Sequence, residues 1–349
     1  MASTPRHCKR LRKWKAFSAV SPCPSSAKPN PFSMNPTRSQ STSNILMVRP
    51  ATFRKNEETA GNNHYQKDAE VDDVHDIALS EFDGMVDDLR VRGVRVIVVD
   101  DDPSTDTPDA LFPNNWVSFH SDGRVGLYPM FAPNRRQERR EDILHDLVHT
   151  HGFAMEEIVD FTEFESHDAF LEGTGSMVLD RIHGKAYAAL SPRTDRDAFE
   201  HWCEAMDLEG VVFEAFQSVG DARKAIYHTN VMMAIGTGWA AVCLDCVDHP
   251  EDRKLLEETL SEDGFTVVLL TENQINHFAG NMLEVQTTQD ETLIVMSQAA
   301  FEVLSLAQRE TLGQFGTLVH NDLNTIETCG GGSARCMMAE VHLPLESPS

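Results

Sequence analysis

The chain has 349 residues, 41% of them hydrophobic, enough for one large domain or two ordinary ones with a sizeable core. Its net charge of −25 argues against a nucleic-acid partner, and no apolar run approaches the ~20 residues that a membrane span needs. Seven cysteines, an odd number without regular spacing, argue against a disulfide framework and for a reducing compartment.

The charge is unevenly spread. Residues 1–44 hold eight Lys/Arg and no Asp or Glu, so the remainder carries 22 basic and 55 acidic residues, a balance of about −33. Within this segment, Arg6-His-Cys-Lys-Arg-Leu-Arg-Lys-Trp-Lys-Ala-Phe17 sets Cys8, Leu11, Trp14 and Phe17 at three-residue steps among cations. A basic amphipathic face without acids is the mark of an organellar transit peptide; a plain disordered basic tail is the simpler alternative. Residues 1–44 are therefore read as tail or transit peptide, and 45–349 as a single domain. The expected location is inside the cell: mitochondrion or plastid if the segment is an address, cytoplasm otherwise.

The body opens with Ile45–Val48, an apolar run that reads as a buried strand before Pro50. Helical periodicity with charged outer faces follows near 68–91, 135–151, 194–208, 250–263 and 298–312. Between these helices lie short apolar segments read as strands: Val94–Val99, Trp116–Phe119, Val125–Met130, Met177–Leu179 and Lys185–Leu190. Val231–Ile235 and Trp239–Leu244 form a hairpin across Gly236-Thr-Gly238, and Thr266–Leu270, Met282–Val285 and Leu293–Met296 complete the series. Five helices about 50–65 residues apart, each followed by strands, are a weak sign of a repeated α/β unit. A doubly wound sheet fits poorly, because too many strands are consecutive. No Gly-x-Gly-x-x-Gly or phosphate loop is present, so nucleotide cofactors have no support.

Several segments carry candidate chemistry. Phe112-Pro-Asn-Asn-Trp-Val-Ser-Phe119 places two amides, Asn114 and Asn115, at a strand entrance, where a simple turn is the alternative. Leu171-Glu-Gly-Thr-Gly-Ser-Met-Val-Leu179 sets Glu172 at the end of a core strand, a costly position for a carboxylate without a partner. In Ile226-Tyr-His-Thr-Asn-Val-Met-Met-Ala-Ile235, strand alternation aims His228 and Asn230 to one side. Cys243-x-x-Cys246-x-x-His249 has metal-ligand types but no second pair, and Cys243 follows a core strand pattern. Finally, Thr328-Cys-Gly-Gly-Gly-Ser-Ala-Arg-Cys336 puts a cysteine on a glycine-rich turn beside Arg335. Such surroundings lower a thiol pKa and make a nucleophile, unless the arginine points away and the cysteine is simply packed.

Taken together and in this order, these segments resemble the guanidino-group-modifying superfamily of arginine deiminases, dimethylarginine hydrolases and amidinotransferases. Glu172-Gly-Thr-Gly175, Ser191-Pro-Arg-Thr194, His228-Thr-Asn230 and the Gly330–Cys336 turn correspond to its motifs. The match looks closest to the citrulline-utilising, arginine deiminase-related group. The resemblance implies a five-bladed α/β propeller with its active site in the central channel. It implies Cys336 as nucleophile, His228 as acid and base, Glu172 as its carboxylate, and Arg193 as partner of a substrate α-carboxylate. Asn281, after Ala279-Gly280, falls where the family has another pocket-lining Asn. Asn114, Asn115 and Asn230 complete the expected substrate contacts, with no cofactor and no metal.

The departures bear on the substrate. Deiminases hold a guanidinium with two Asp residues; here both positions are Asn, at 115 and 230, and Gly175 stands where a further family acid belongs. Ionised Asp only accepts hydrogen bonds, as guanidinium only donates, whereas a neutral ureido group presents both kinds. The expected reaction is hydrolysis of citrulline to ornithine and carbamate through a Cys thioester. Guanidino chemistry of the deiminase or amidinotransferase type, or a catalytically silent propeller, are the alternatives. The expected partner is a small amino acid, with no nucleic acid and no membrane; a homo-oligomer is compatible.

Overall fold

The computed structural model describes residues 39–68 and 73–346. The basic segment at 1–38 lies outside the described residues. Its end does not: Gln40 and Ser41 are buried, so the folded body includes residues that the sequence reading left in the tail. Gln40 Nε2 donates to Leu179 O at 2.8 Å, and its Oε1 accepts from Arg181 N at 2.8 Å. Ser41 Oγ donates to Glu284 Oε1 at 2.9 Å.

Among the described residues the strands form five three-stranded sheets and one hairpin. The first sheet joins Ala339–Glu340, Asn44–Arg49 and Arg95–Asp100; the second Val117–Phe119, Arg124–Leu127 and Glu157–Asp160. Met177–Asp180, Lys185–Leu190 and Glu209–Glu214 make the third, and Met233–Gly236, Trp239–Val242 and Thr266–Leu269 the fourth. Leu283–Gln286, Thr292–Ser297 and Thr317–Asn321 make the fifth, and Phe216–Val219 pairs with Ala222–Ala225 in the hairpin.

Every three-stranded sheet has one design. Its middle strand runs antiparallel to the first and parallel to the third. A parallel neighbour cannot be reached by a tight turn, so a helix must cross over. The crossover helices are Val74–Val91, Glu141–His149, Arg196–Met206, Pro250–Glu262, and the pair Gln298–Val303 and Leu306–Leu312. First strands of neighbouring sheets lie against one another: Met233–Gly236 touches Met177–Asp180 and Leu283–Gln286, and Ala339–Glu340 touches Val117–Phe119.

The helices differ from expectation for local reasons. Val74–Val91 buries Ala78, Phe82, Met85 and Leu89, as periodicity leads one to expect, and Val86 besides, whereas Ile77, expected on the same face, is exposed. The helix expected over 135–151 begins only at Glu141, because Asn134–Glu138 forms a 3-10 turn that buries Arg135. The helix expected over 298–312 is broken at Leu304, since Ser305 and Gln308 form a capping box that starts a second one. Strands at Glu157–Asp160 and Glu209–Glu214 escaped prediction because their ends are charged and half their side chains meet solvent. Among the described residues no helix is long and apolar enough to cross a membrane.

Candidate active site

The first strand of every three-stranded sheet is preceded by a tight turn, and each turn carries one or two candidates. Asn114 and Asn115 lie on the 3-10 turn Pro113–Asn115, and Glu172 caps the helical turn Gly173–Ser176. His228 caps the 3-10 turn Thr229–Val231, which carries Asn230; Asn281 precedes the fifth sheet and Cys336 the strand Ala339–Glu340. His228 and Asn230 thus stand on a turn, and the alternation expected of a strand gives way to it.

The glycines before Cys336 are required by close approach. A Cβ on Gly332 would lie 2.8 Å from Phe112, and one on Gly331, where φ is +64°, 2.5 Å from Asn63 Nδ2. Their carbonyls are bonded from above by Asn63 Nδ2 (3.1 Å to Gly331 O), Gln66 Nε2 (2.9 Å to Gly330 O) and Tyr227 OH (2.5 Å to Gly331 O). The cleft beside this turn, ≈ 240 Å³ with its open mouth, is lined by Asn63, Asp109, Phe112, Asn115, Arg135, Arg193, Tyr227, His228, Gly330–Gly332 and Cys336.

Cys336 is buried, and two amides face its sulfur: Asn281 Nδ2 at 3.2 Å and Asn230 Nδ2 at 3.6 Å. The Asn281 amide is fixed, since its Oδ1 accepts from Arg335 N at 3.0 Å. Asn230 and Asn281, expected to touch substrate, stand under the sulfur instead of lining the cleft. Asn114 stands behind Asn115, accepting its Nδ2 at 3.1 Å, and its own Nδ2 has no partner.

Arg335 turns away from the thiol. Its guanidinium donates to Met338 O at 2.9 Å and Glu340 Oε2 at 2.8 Å. Burial therefore dominates, pushing the Cys336 thiol above the ordinary 9.0, with bonds from Ser333 and Asn281 and the Arg335 charge only partly offsetting it. Arg335 therefore does not bring the thiol below its ordinary value, as a cation turned toward it would.

His228 Nε2 and Glu172 Oε2 are 2.8 Å apart, both buried. Burial pushes His228 down to about 4, with Glu172 opposing. Burial alone would raise Glu172, but Arg193, His228 and Arg135 outweigh it and hold the carboxylate well below its ordinary range. Glu172 Oε1 also accepts Phe131 N at 3.0 Å, so both oxygens are engaged. Arg193 binds Asn62 Oδ1 through Nε at 2.9 Å, with Nη1 3.5 Å from Glu172 Oε2.

Sequence reading missed Arg135, Asp109 and Glu138. Arg135 sits in Asn134-Arg-Arg-Gln-Glu-Arg-Arg140, which looks like a solvated charge run, yet it is fully enclosed. It forks onto Glu138 with two bonds of 2.9 Å and donates to Asn115 Oδ1 at 3.0 Å. Asp109 keeps one buried oxygen, Oδ1, without a partner. The Cys243 and Cys246 sulfurs lie 3.3 Å apart in the core, while exposed His249 pairs with Glu214 at 3.0 Å.

Gly175 matters through what it lacks. A Cβ there would lie 2.3 Å from Asn115 Nδ2 and 2.7 Å from His228 Nδ1. Gly175→Ala is expected to displace both side chains and lower turnover about 100-fold while the melting temperature moves only slightly. Steady-state kinetics beside a melting curve check this; parallel loss of fold and activity contradicts it.

Residues 49–343 match the family described as eukaryotic N,N-dimethylarginine dimethylhydrolase. The chain belongs to that family. It lies within the guanidino-group-modifying superfamily, and the protein is a hydrolase acting on C–N bonds. Solved structures share the family's fold. One is the N-terminal domain of ArgZ, an arginine dihydrolase from the ornithine-ammonia cycle in Cyanobacteria, as a Cys-to-Ser variant with substrate. It is 17% identical, with TM-score 0.63 over 85% of this chain and 97% of that one. AgrE in ternary complex with ornithine and NAD+ is 18% identical, TM-score 0.64, over 87% of this chain and 40% of that one. A His-to-Gly variant of dimethylarginine dimethylaminohydrolase, as an adduct with S-methyl-L-thiocitrulline, is 14% identical, TM-score 0.57, over 85% and 98%. The chain spans 40% of full-length ArgZ and AgrE. At these identities the likeness is one of fold. No curated protein matches the chain.

Proposed function

We propose that the protein hydrolyses the ureido C–N bond of citrulline through a thioester on Cys336, giving ornithine and carbamate, which breaks down to ammonia and CO2. The five sheets are read as blades of a five-bladed α/β propeller formed by the domain 45–349 together with residues 39–44, and residues 1–44 otherwise as an organellar address. The observation that carries the functional reading is the pair of amides at 115 and 230. Asn115 is in the cleft wall and Asn230 beside the Cys336 sulfur, and the family resemblance gives deiminases an Asp at each of these two positions. Facing a ureido carbonyl, a buried Asp is repelled and left unpaired, whereas Asn supplies a donor.

Arg193 takes the substrate α-carboxylate. The unpartnered Oδ1 of Asp109, buried in the cleft wall, takes the α-ammonium. The Cys336 sulfur attacks the ureido carbon while its proton passes to the His228 nitrogen that Glu172 leaves free. His228 returns that proton to the alkyl nitrogen as the C–N bond breaks, and ornithine leaves. Water, deprotonated by the same nitrogen, attacks the carbamoyl thioester; the C–S bond breaks and the thiol is restored. Asn281 and Asn230 donors stabilise negative charge on sulfur in both steps.

A second reading takes arginine through two hydrolyses to ornithine, and the match to a family named for hydrolysis of a guanidine, dimethylarginine, favours a guanidino substrate at the first step. Both readings share the ureido step. The test offers citrulline, arginine and N,N-dimethylarginine separately and quantifies ornithine, citrulline and ammonia. Ornithine from citrulline is expected; citrulline accumulating from either guanidine, with no ornithine from citrulline, overturns the reading. Asn115→Asp with Asn230→Asp is expected to raise the arginine-to-citrulline ratio of kcat/KM by roughly 10- to 100-fold. An unchanged ratio contradicts the amide argument.

A further inference from the structure

A primary amide can turn either its oxygen or its NH2 toward a ligand, and its surroundings decide which. At Asn115 the deciding neighbour is a buried cation. Arg135 Nη1 donates to Asn115 Oδ1 at 3.0 Å, and Arg135 is 2% exposed. A guanidinium has only donors, so the atom opposite it has to accept. Arg135 is itself immobilised: Nε and Nη2 each bond a Glu138 oxygen at 2.9 Å, and Asp109 Oδ2 lies 3.7 Å from Nε. Reversing the Asn115 amide sets NH2 against guanidinium and forfeits the 3.1 Å bond to Asn114 Oδ1. The NH2 therefore faces away from Arg135, against Gly175 and beside His228 Nδ1. One of its hydrogens goes to Asn114, and the other remains for a ligand in the cleft that Asn115 and His228 line.

We infer that Arg135 is a positioning residue for substrate choice: by locking the Asn115 amide it presents a donor to the substrate's reacting group, selecting a carbonyl over an amidinium. The inference deepens the ureido reading and rests on it. A locked donor complements the ureido oxygen and opposes the N–H groups of arginine. Without Arg135, Asn115 is free to turn and offers oxygen to a guanidinium.

The test compares citrulline and arginine kcat/KM in the wild type, Arg135→Lys, and Arg135→Gln with Glu138→Gln. The last pair removes the cation and the buried carboxylate together. Loss of the lock is expected to lower the citrulline-to-arginine ratio about tenfold, while Arg135→Lys, which keeps a cationic donor, stays within about threefold of wild type. A merely structural role lowers both substrates alike and leaves the ratio fixed. In an Asn115→Ala background the Gln/Gln pair is expected to leave the ratio unchanged, because its effect passes through Asn115. Where turnover is too slow, the ratio of dissociation constants serves. A ratio that the Gln/Gln pair leaves at the wild-type value, or a shift that persists in Asn115→Ala, overturns the proposal. Should the Gln/Gln pair fail to fold, a folded Arg135→Lys that prefers arginine overturns it equally. A wild type that releases no ornithine from citrulline fails the functional reading itself; a wild type that does so with an Arg135-independent ratio fails only this inference.

Discussion

Cys336→Ser is expected to abolish turnover, by on the order of 10⁴-fold or more, while substrate binding and the melting temperature are nearly retained. The exchange removes one atom's chemistry and little volume, and the Asn281 and Asn230 donors that face the sulfur also suit a hydroxyl. Serine in this place lacks the one property that sulfur brings, a stable leaving group for the second, hydrolytic step. The covalent route makes a companion demand. Acid quench of wild type with citrulline should trap a carbamoyl adduct on Cys336, visible by mass spectrometry after digestion and absent from Cys336→Ser. Residual turnover near wild type in the serine variant, or an adduct on another residue, sinks the covalent scheme. Because burial pushes the thiol up, the nucleophile is generated only as its proton leaves for His228. The rate is then expected to lack the sharp alkaline rise of an enzyme awaiting thiolate.

Glu172→Gln is expected to cost nearly as much, about 10³-fold in kcat and roughly 3–5 kcal/mol in stability. Glu172 is fully buried and its Oε2 faces His228 at 2.8 Å, Arg193 at 3.5 Å and Arg135 at 3.6 Å. Removing its charge leaves two buried guanidinium groups with less compensation and His228 without the partner that favours its charged form. The pH dependence follows from the same contacts. His228 titrates at about 4 folded against 6.5 free, so the unfolded chain binds that proton first and stability falls as pH drops from 6.5 toward 4. Glu172 is held low when folded, so its contribution is present above 4.5 and is lost on further acidification. Both slopes have one sign, and His228 alone contributes roughly 3 kcal/mol across its window. Urea unfolding from pH 7 to 4 should show the His228 loss in wild type, and extending it below pH 4 should add the Glu172-linked part, which Glu172→Gln lacks. A wild type equally stable at both ends contradicts the buried neutral histidine.

The Gly330–Cys336 turn was legible because glycine at three successive positions has few physical explanations, and the structure supplies one in the approach of Phe112 and Asn63. Glu172 stood out because a carboxylate beside a core strand demands partners. Arg135 was hidden for the opposite reason: a charged residue in a charged run looks solvated until Asp109 and Asn115 are brought to it from elsewhere in the chain and Glu138, on its own turn, closes onto it. The apolar strands were visible by hydrophobicity, whereas Glu157–Asp160 and Glu209–Glu214 are held by pairing to a middle strand rather than by apolar pattern.

Composition and spacing by themselves determined the alternation of helices with multiple strands, the turn that bears Cys336, and which polar residues needed a partner. These are local properties, written in periodicity, glycine placement and the cost of burying charge. Tertiary structure alone decided how those residues are charged and oriented. It turned Arg335 to Glu340 and away from the thiol, set Asn281 and Asn230 beneath the sulfur, and placed Arg135, twenty residues along the chain, against the Asn115 amide oxygen. Protonation state and amide orientation depend on burial and on neighbours from other parts of the chain, and neither quantity exists until the chain has folded.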